Sequence, residues 1–193
     1  VGTAILGVLQ TADPAAKVMA ARSVARAWRR GALSHRFSDQ MPDVPARPEQ
    51  PVLLRPGAMP RRGKGTSIVR RIALIHALAH IEFVAIDLAF DMIGRFGSEF
   101  PRKFTDDWMR VGAEEAMHFV LLDRRLREMG SWYGALPAHD GLWDAAVDTA
   151  YDASARLAIV PMVLEARGLD ITLDTVERFR QQGWVSPAQP SRQ

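Results

Sequence analysis

The chain has 193 residues, 48% of them hydrophobic and 24% charged, with a formal net charge of +3 and no cysteine. That length carries one domain with a substantial core, and the composition is that of a globular protein. The absence of cysteine excludes disulfides, thiolate zinc sites and cysteine nucleophiles, and it suits a reducing cytoplasm.

Residues Val1 to Gln10 are mildly apolar, without a basic leader or a cleavage site, and read as no signal peptide. Asp13-Pro14 starts a helix, with Asp as N-cap and Pro at the first helical position. It runs to about Arg30 and stops at Gly31, with Val18, Ala21, Ala25 and Trp28 on its apolar face. Prolines at 42, 45, 48, 51, 56 and 60 make residues 39–65 an extended strap. It closes on a turn, Met59-Pro60-Arg61-Arg62-Gly63-Lys64-Gly65, whose spacing matches no phosphate loop. Residues 1–75 hold 13 Lys and Arg against 4 Asp and Glu, and residues 76–193 hold 12 against 18. A basic arm before an acidic body is either a nucleic-acid contact surface or a solvated helix and strap docked on acidic helices. The second reading is preferred, because no recognised nucleic-acid module accompanies the charge.

Two long helices follow. The first spans about Ser67 to Phe96 with Gly97 as its stop, and the second about Pro101 to Met129 with Gly130 as its stop. Each is roughly 45 Å long at the standard rise. The short link between them predicts antiparallel neighbours. No stretch reads as a bilayer span, because the best candidate, 72–90, contains His76, His80, Glu82 and Asp87. A loop from Gly130 leads to a third helix, capped by Asp140, kinked at Pro161 and running to about Arg167 before Gly168. A short helix over 172–182 stops at Gly183, and the tail 184–193 reads as disordered. The predicted organisation is an N-terminal helix and strap over 1–66, a helical domain over 67–183 and a tail over 184–193. The fold class is all-α.

The chemistry lies in Glu114-Glu115-Ala116-Met117-His118. An E-x-x-H unit puts a carboxylate and an imidazole one turn apart on one helix face. Helical spacing from Glu115 gives Phe104, Trp108, Val111, Gly112, His118, Phe119, Leu122 and Leu126, a face that is otherwise apolar. The preceding helix repeats the pattern with one acid, Glu82, among Ile75, Leu78, Ala79, Ala85, Ile86, Ala89 and Ile93. A carboxylate in such a stripe is costly to bury unless something pairs with it, and a metal ion is the simplest partner for Glu plus His. An isolated E-x-x-H is otherwise an ordinary solvated i,i+3 pair; the apolar flanks on two adjacent helices favour the metal. The spacing predicts that Glu82, Glu115 and His118 converge. Glu165 is a third inward acid, nearer a helix end. Asp87 and Asp91 sit at another angle, facing water or a helix interface. His76 and His80 lie off the Glu82 face, and His139 orders the entry to the third helix.

These blocks resemble a known family. The residues are His80-Ile81-Glu82 with Ala85-Ile86-Asp87-Leu88-Ala89, then Asp107-Trp108, Glu114-Glu115-x-x-His118-Phe119 and Leu136-Pro137-Ala138-His139-Asp140-Gly141-Leu142-Trp143, then Val160-Pro161-x-x-Leu164-Glu165-Ala166-Arg167-Gly168-Leu169-Asp170. Together they are similar to the bacterial ferritin-like family called DUF 455, from Thr11 to about Gly183. The resemblance implies a ferritin-like antiparallel bundle with a carboxylate-bridged di-iron site. Carried over, Glu82 is a ligand from the first long helix, Glu115 a bridging ligand, His118 an imidazole ligand and Glu165 a ligand from the third helix. The family pattern continues with a fourth long helix bearing a second E-x-x-H, which these 193 residues do not contain. The implied cofactor is iron, or alternatively manganese, as one or two ions. The implied activity is that of a di-iron oxidase or hydroxylase of unspecified substrate. The alternative is a non-catalytic helical interaction protein or a truncated product. With three long helices to cover one another, an exposed apolar groove and a homo-oligomer formed through it are expected.

Overall fold

The computed structural model describes residues 1–60 and 67–158, and the chain divides into two compact units, Val1–Ala150 and Tyr151–Gln193. The protein is all-α. Within the first unit are α1 (Gly2–Leu9), α2 (Pro14–Arg29), a 3-10 turn at Pro56–Ala58, α3 (Ile68–Phe96), α4 (Arg102–Glu128) and α5 (Gly141–Asp148). The described residues contain no strand; a single bridge joins Leu53 to Ala138.

Local chemistry sets the helix ends. The Asp13 carboxylate accepts a hydrogen bond from the Ala16 N–H at 2.7 Å, and Pro14 opens α2. Gly31 and Gly130 follow α2 and α4 at φ 71° and 75°, the left-handed region that glycine adopts without strain. Gly97 ends α3 for another reason. Its φ is −60°, and an added Cβ would lie 2.6 Å from the Phe37 ring.

The two long helices pack antiparallel. Their approach is set at Gly112, where an added Cβ would lie 2.7 Å from Phe90, a fully buried ring. Helix α1 supplies Ile5, Val8 and Leu9 to the core, so the apolar start of the chain is a core helix. Helix α2 packs through Val18, Ala21, Ala25 and Trp28, the expected face. Trp28 donates from Nε1 to the Asp106 carboxylate at 2.7 Å and is covered by the Arg102 guanidinium, 3.9 Å from the ring centre.

The strap follows the surface and satisfies its backbone through other elements. Ala46 N–H donates to the Leu9 carbonyl, Leu54 N–H to that of Ala138, and Ala138 N–H to that of Val52. The Pro42 carbonyl accepts from Arg95 and that of Asp43 from Trp143.

Two expectations need correction. The third helix does not run unbroken from Asp140. Helix α5 ends at Asp148, residues 149–151 form a turn, and residues 153–158 are helical. The Thr149 hydroxyl bonds back to the Ala145 carbonyl at 2.8 Å, and Asp152 caps a new start by accepting from Ala155 N–H at 2.6 Å. Asp140 stands at the N-cap position of α5 without a side-chain capping bond. Second, α3 is by length and composition apolar enough to cross a bilayer, although half of its most apolar window is buried inside the protein. The Arg61–Gly65 end of the expected turn, Pro161, Glu165, the 172–182 helix and the 184–193 tail lie outside the described residues.

Candidate metal centre

Glu82 stands near the middle of α3, and Glu115 and His118 stand one turn apart on α4. The antiparallel packing brings the three together. His118 Nδ1 lies 3.0 Å from a Glu115 carboxylate oxygen and 3.5 Å from one of Glu82. One ligand atom from each falls within 4.8 Å of the others. The two glutamates are partly buried, whereas the His118 side chain is 53% exposed, so the group opens to one side.

The electrostatics follow from this geometry. The Glu82 carboxyl is pushed up to about 9, first by burial and then by its hydrogen bond with Glu115 and that neighbour's negative charge. Two carboxylates this close cannot both ionise cheaply, which favours a proton on Glu82. A divalent cation at the same point would take over the role of that proton and use the His118 nitrogen as well. The donor set of two carboxylates and an imidazole suits first-row metals. Of the four residues picked out in the sequence, the structure brings Glu82, Glu115 and His118 together; Glu165 lies outside the described residues.

The remaining histidines of α3 serve the loop after α4. His76 Nε2 accepts from the Gly134 N–H at 2.9 Å, and His80 Nδ1 is 2.9 Å from the Tyr133 hydroxyl. Burial keeps both imidazoles neutral, with His80 lowered to about 3 by burial and then by the charge of Arg47. His139 Nδ1 accepts from Gly141 N–H at 3.4 Å, at the entry to α5.

A second polar group lies at the helix interface, hardly foreshadowed by helical spacing. Asp87 is fully buried and binds the Lys17 ammonium with one oxygen and the Arg47 guanidinium with the other. Arg47 also reaches Asp140 at 3.4 Å. Lys17 and Arg47 lie 5.1 and 5.8 Å from the centre of the Phe83 ring. Burial pushes the Lys17 pKa down and the Asp87 pKa up, each opposed by the charge of the other. The one available signal was Lys17 beside Val18 on the packing face of α2. Asp91, one turn beyond Asp87, is buried and accepts from Arg95 Nε at 2.7 Å.

Residues 10–189 match the family model described as "Protein of unknown function (DUF455)". The chain belongs to this family. An uncharacterised protein of Haemophilus influenzae (strain ATCC 51907 / DSM 11121 / KW20 / Rd) is 43% identical over 145 residues, which cover 72% of this chain and 50% of that protein. The chain thus spans about half the length of that relative. No solved structure matches the chain.

Proposed function

We propose that this DUF455 protein is a ferritin-like metal-binding protein, in which Glu82, Glu115 and His118 hold a first-row divalent ion. Iron is the first choice and manganese the second. Glu165 is proposed as a further carboxylate ligand. The observation that carries this reading is the convergence of two carboxylates and an imidazole, from two adjacent helices, within 4.8 Å of one another. Solvated acids do not require such a meeting on otherwise apolar helix faces. Burial and the neighbouring Glu115 push the Glu82 carboxyl up, as expected where clustered negative charge lacks a neutralising partner, and this supports the reading.

When bound, such a metal supplies redox chemistry with dioxygen, and the proposed class is a di-iron-type oxidoreductase. The chain's own part is to hold and orient. Glu82 reaches in from α3, the one-turn spacing of Glu115 and His118 fixes their relative angle, and Phe83 and Phe119 pack beside them in the core at 5.4 Å between ring centres. A second reading, a non-catalytic helical interaction protein, draws on the exposure of His118, which leaves one side of the group open for association. In that reading a second copy of the chain covers the open side.

Metal content by mass spectrometry, on protein purified from iron- and manganese-supplemented medium, tests the proposal. At least one iron or manganese per chain is expected, and its loss is expected in Glu115→Ala. A folded, metal-free protein under both conditions contradicts it.

A further inference from the structure

Among the described residues, the basic face of α2 is left without ion-pair partners. Arg22, Arg26 and Arg29 follow one another at i, i+4 and i+7 along one side of the helix, with Arg30 just beyond its end and Arg36 six residues further on. All five side chains are exposed. Helix α2 docks through other positions, Lys17, Val18, Ala21, Ala25 and Trp28. Of the basic arm, Lys17 and Arg47 pair with Asp87 of α3, while these five arginines stay solvated.

Their isolation is not the habit of this surface. On α4 the exposed cations Lys103, Arg110, Arg124 and Arg127 each meet a carboxylate on their own helix, at 2.9–3.2 Å. Helix α2 has no acidic residue at all after its cap Asp13. Among the described residues, no ion pair or hydrogen bond involves the side chain of Arg22, Arg26, Arg29, Arg30 or Arg36. Arg26 and Arg29 lie in the last turn, where exposed cations gain only a small, salt-screened benefit from the helix dipole. Arg22 lies outside that turn, and Arg30 and Arg36 lie beyond the helix.

We infer that the exposed arginine row of α2 docks the sugar–phosphate backbone of a double-stranded nucleic acid. From Arg22 to Arg29 the row rises about 10.5 Å, and phosphates along one strand of a duplex recur about every 3.4 Å of axis, so three or four fall within reach. Guanidinium groups are the side chains suited to phosphate pairing. A single strand is the poorer fit, because strand platforms stack bases on exposed aromatics. The only aromatic of α2, Trp28, is buried. Contacts of this kind position the protein without reading sequence.

Fluorescence anisotropy of the full chain with labelled 20-base-pair duplexes of DNA and RNA tests the inference. Binding at 50 mM salt is expected to weaken roughly 100-fold at 200 mM, the steepness of about four released counterions. The exposed-site triple variant Arg22→Gln, Arg26→Gln, Arg29→Gln should melt like wild type and bind at least about tenfold more weakly, with a slope reduced by about 2.7. The triple variant Arg110→Gln, Arg124→Gln, Arg127→Gln removes the same charge from α4 and should bind like wild type. The inference is overturned if neither duplex binds, if both triple variants weaken binding equally, or if the matching single strand or vesicles with 30% phosphatidylglycerol bind more tightly than the duplexes. None of these readouts depends on the metal proposal.

Discussion

At Glu82, burial and the neighbouring Glu115 keep the carboxyl protonated up to about pH 9, against an ordinary value of 4.5. Between those two values the metal-free native state binds more protons than the unfolded chain, so stability falls as pH rises through that window. Below 4.5 both states are protonated and the penalty disappears; above about 9 it is complete. The melting temperature of metal-free protein should therefore drop more from pH 5 to pH 9 in wild type than in Glu82→Gln. Equal slopes would mean that Glu82 is not the titrating group. At Asp87 burial also pushes the pKa up, but two cations oppose it. Asp87→Ala leaves Lys17 buried without its counter-ion and should cost about 3–5 kcal/mol, read by urea unfolding. Replacing both by apolar residues, Lys17→Met with Asp87→Leu, should cost less than Asp87→Ala alone. The meeting of Glu82, Glu115 and His118 was legible because each interrupts an apolar helix face at a fixed angle. The role of Asp87 was not. Helical spacing shows only that it leaves the Glu82 face, and its partners lie 70 and 40 residues away in the chain.

Among the elements, α3 and α4 matter most, since their register decides whether the three side chains meet. Gly112 lies one turn before Glu115 and holds the two helices close. Gly112→Ala drives a methyl group against Phe90, which has no room to yield, and should cost about 1–3 kcal/mol by chemical denaturation. It should also weaken metal binding in calorimetric titration, because spreading the helices separates Glu82 from Glu115. Unchanged affinity at reduced stability would show that the register tolerates the spread. The helices that the sequence revealed carried end signals: Asp13-Pro14 and Gly31 for α2, and Gly130 for α4. Helix α1 was missed because it has no capping signal; its Val1 N-cap has no side-chain capping bond, and its stability comes from packing Ile5, Val8 and Leu9. The break after Asp148 was missed because the apolar pattern continues through it. The side-chain bonds of Thr149 and Asp152 decide it, and periodicity does not register them.

At the scale of the first compact unit, the core gathers residues of α1, α2, α3 and α4, and among the described residues the Glu82–Glu115–His118 group is only partly buried. The DUF455 family membership supplies no chemistry of its own, so the metal proposal rests on that group. Its most direct test is the thermal stability of wild type, Glu115→Ala and His118→Ala, each melted with and without ferrous iron under anaerobic conditions. A ligand that binds only the native state at a hundredfold excess over its Kd adds about 2.7 kcal/mol, or roughly 5–10 °C for a chain of this size. Wild type should gain that shift, and both variants should lose it while still melting cooperatively. A wild-type melting temperature indifferent to iron, or the same gain in either variant, would contradict a metal centre built on these three residues.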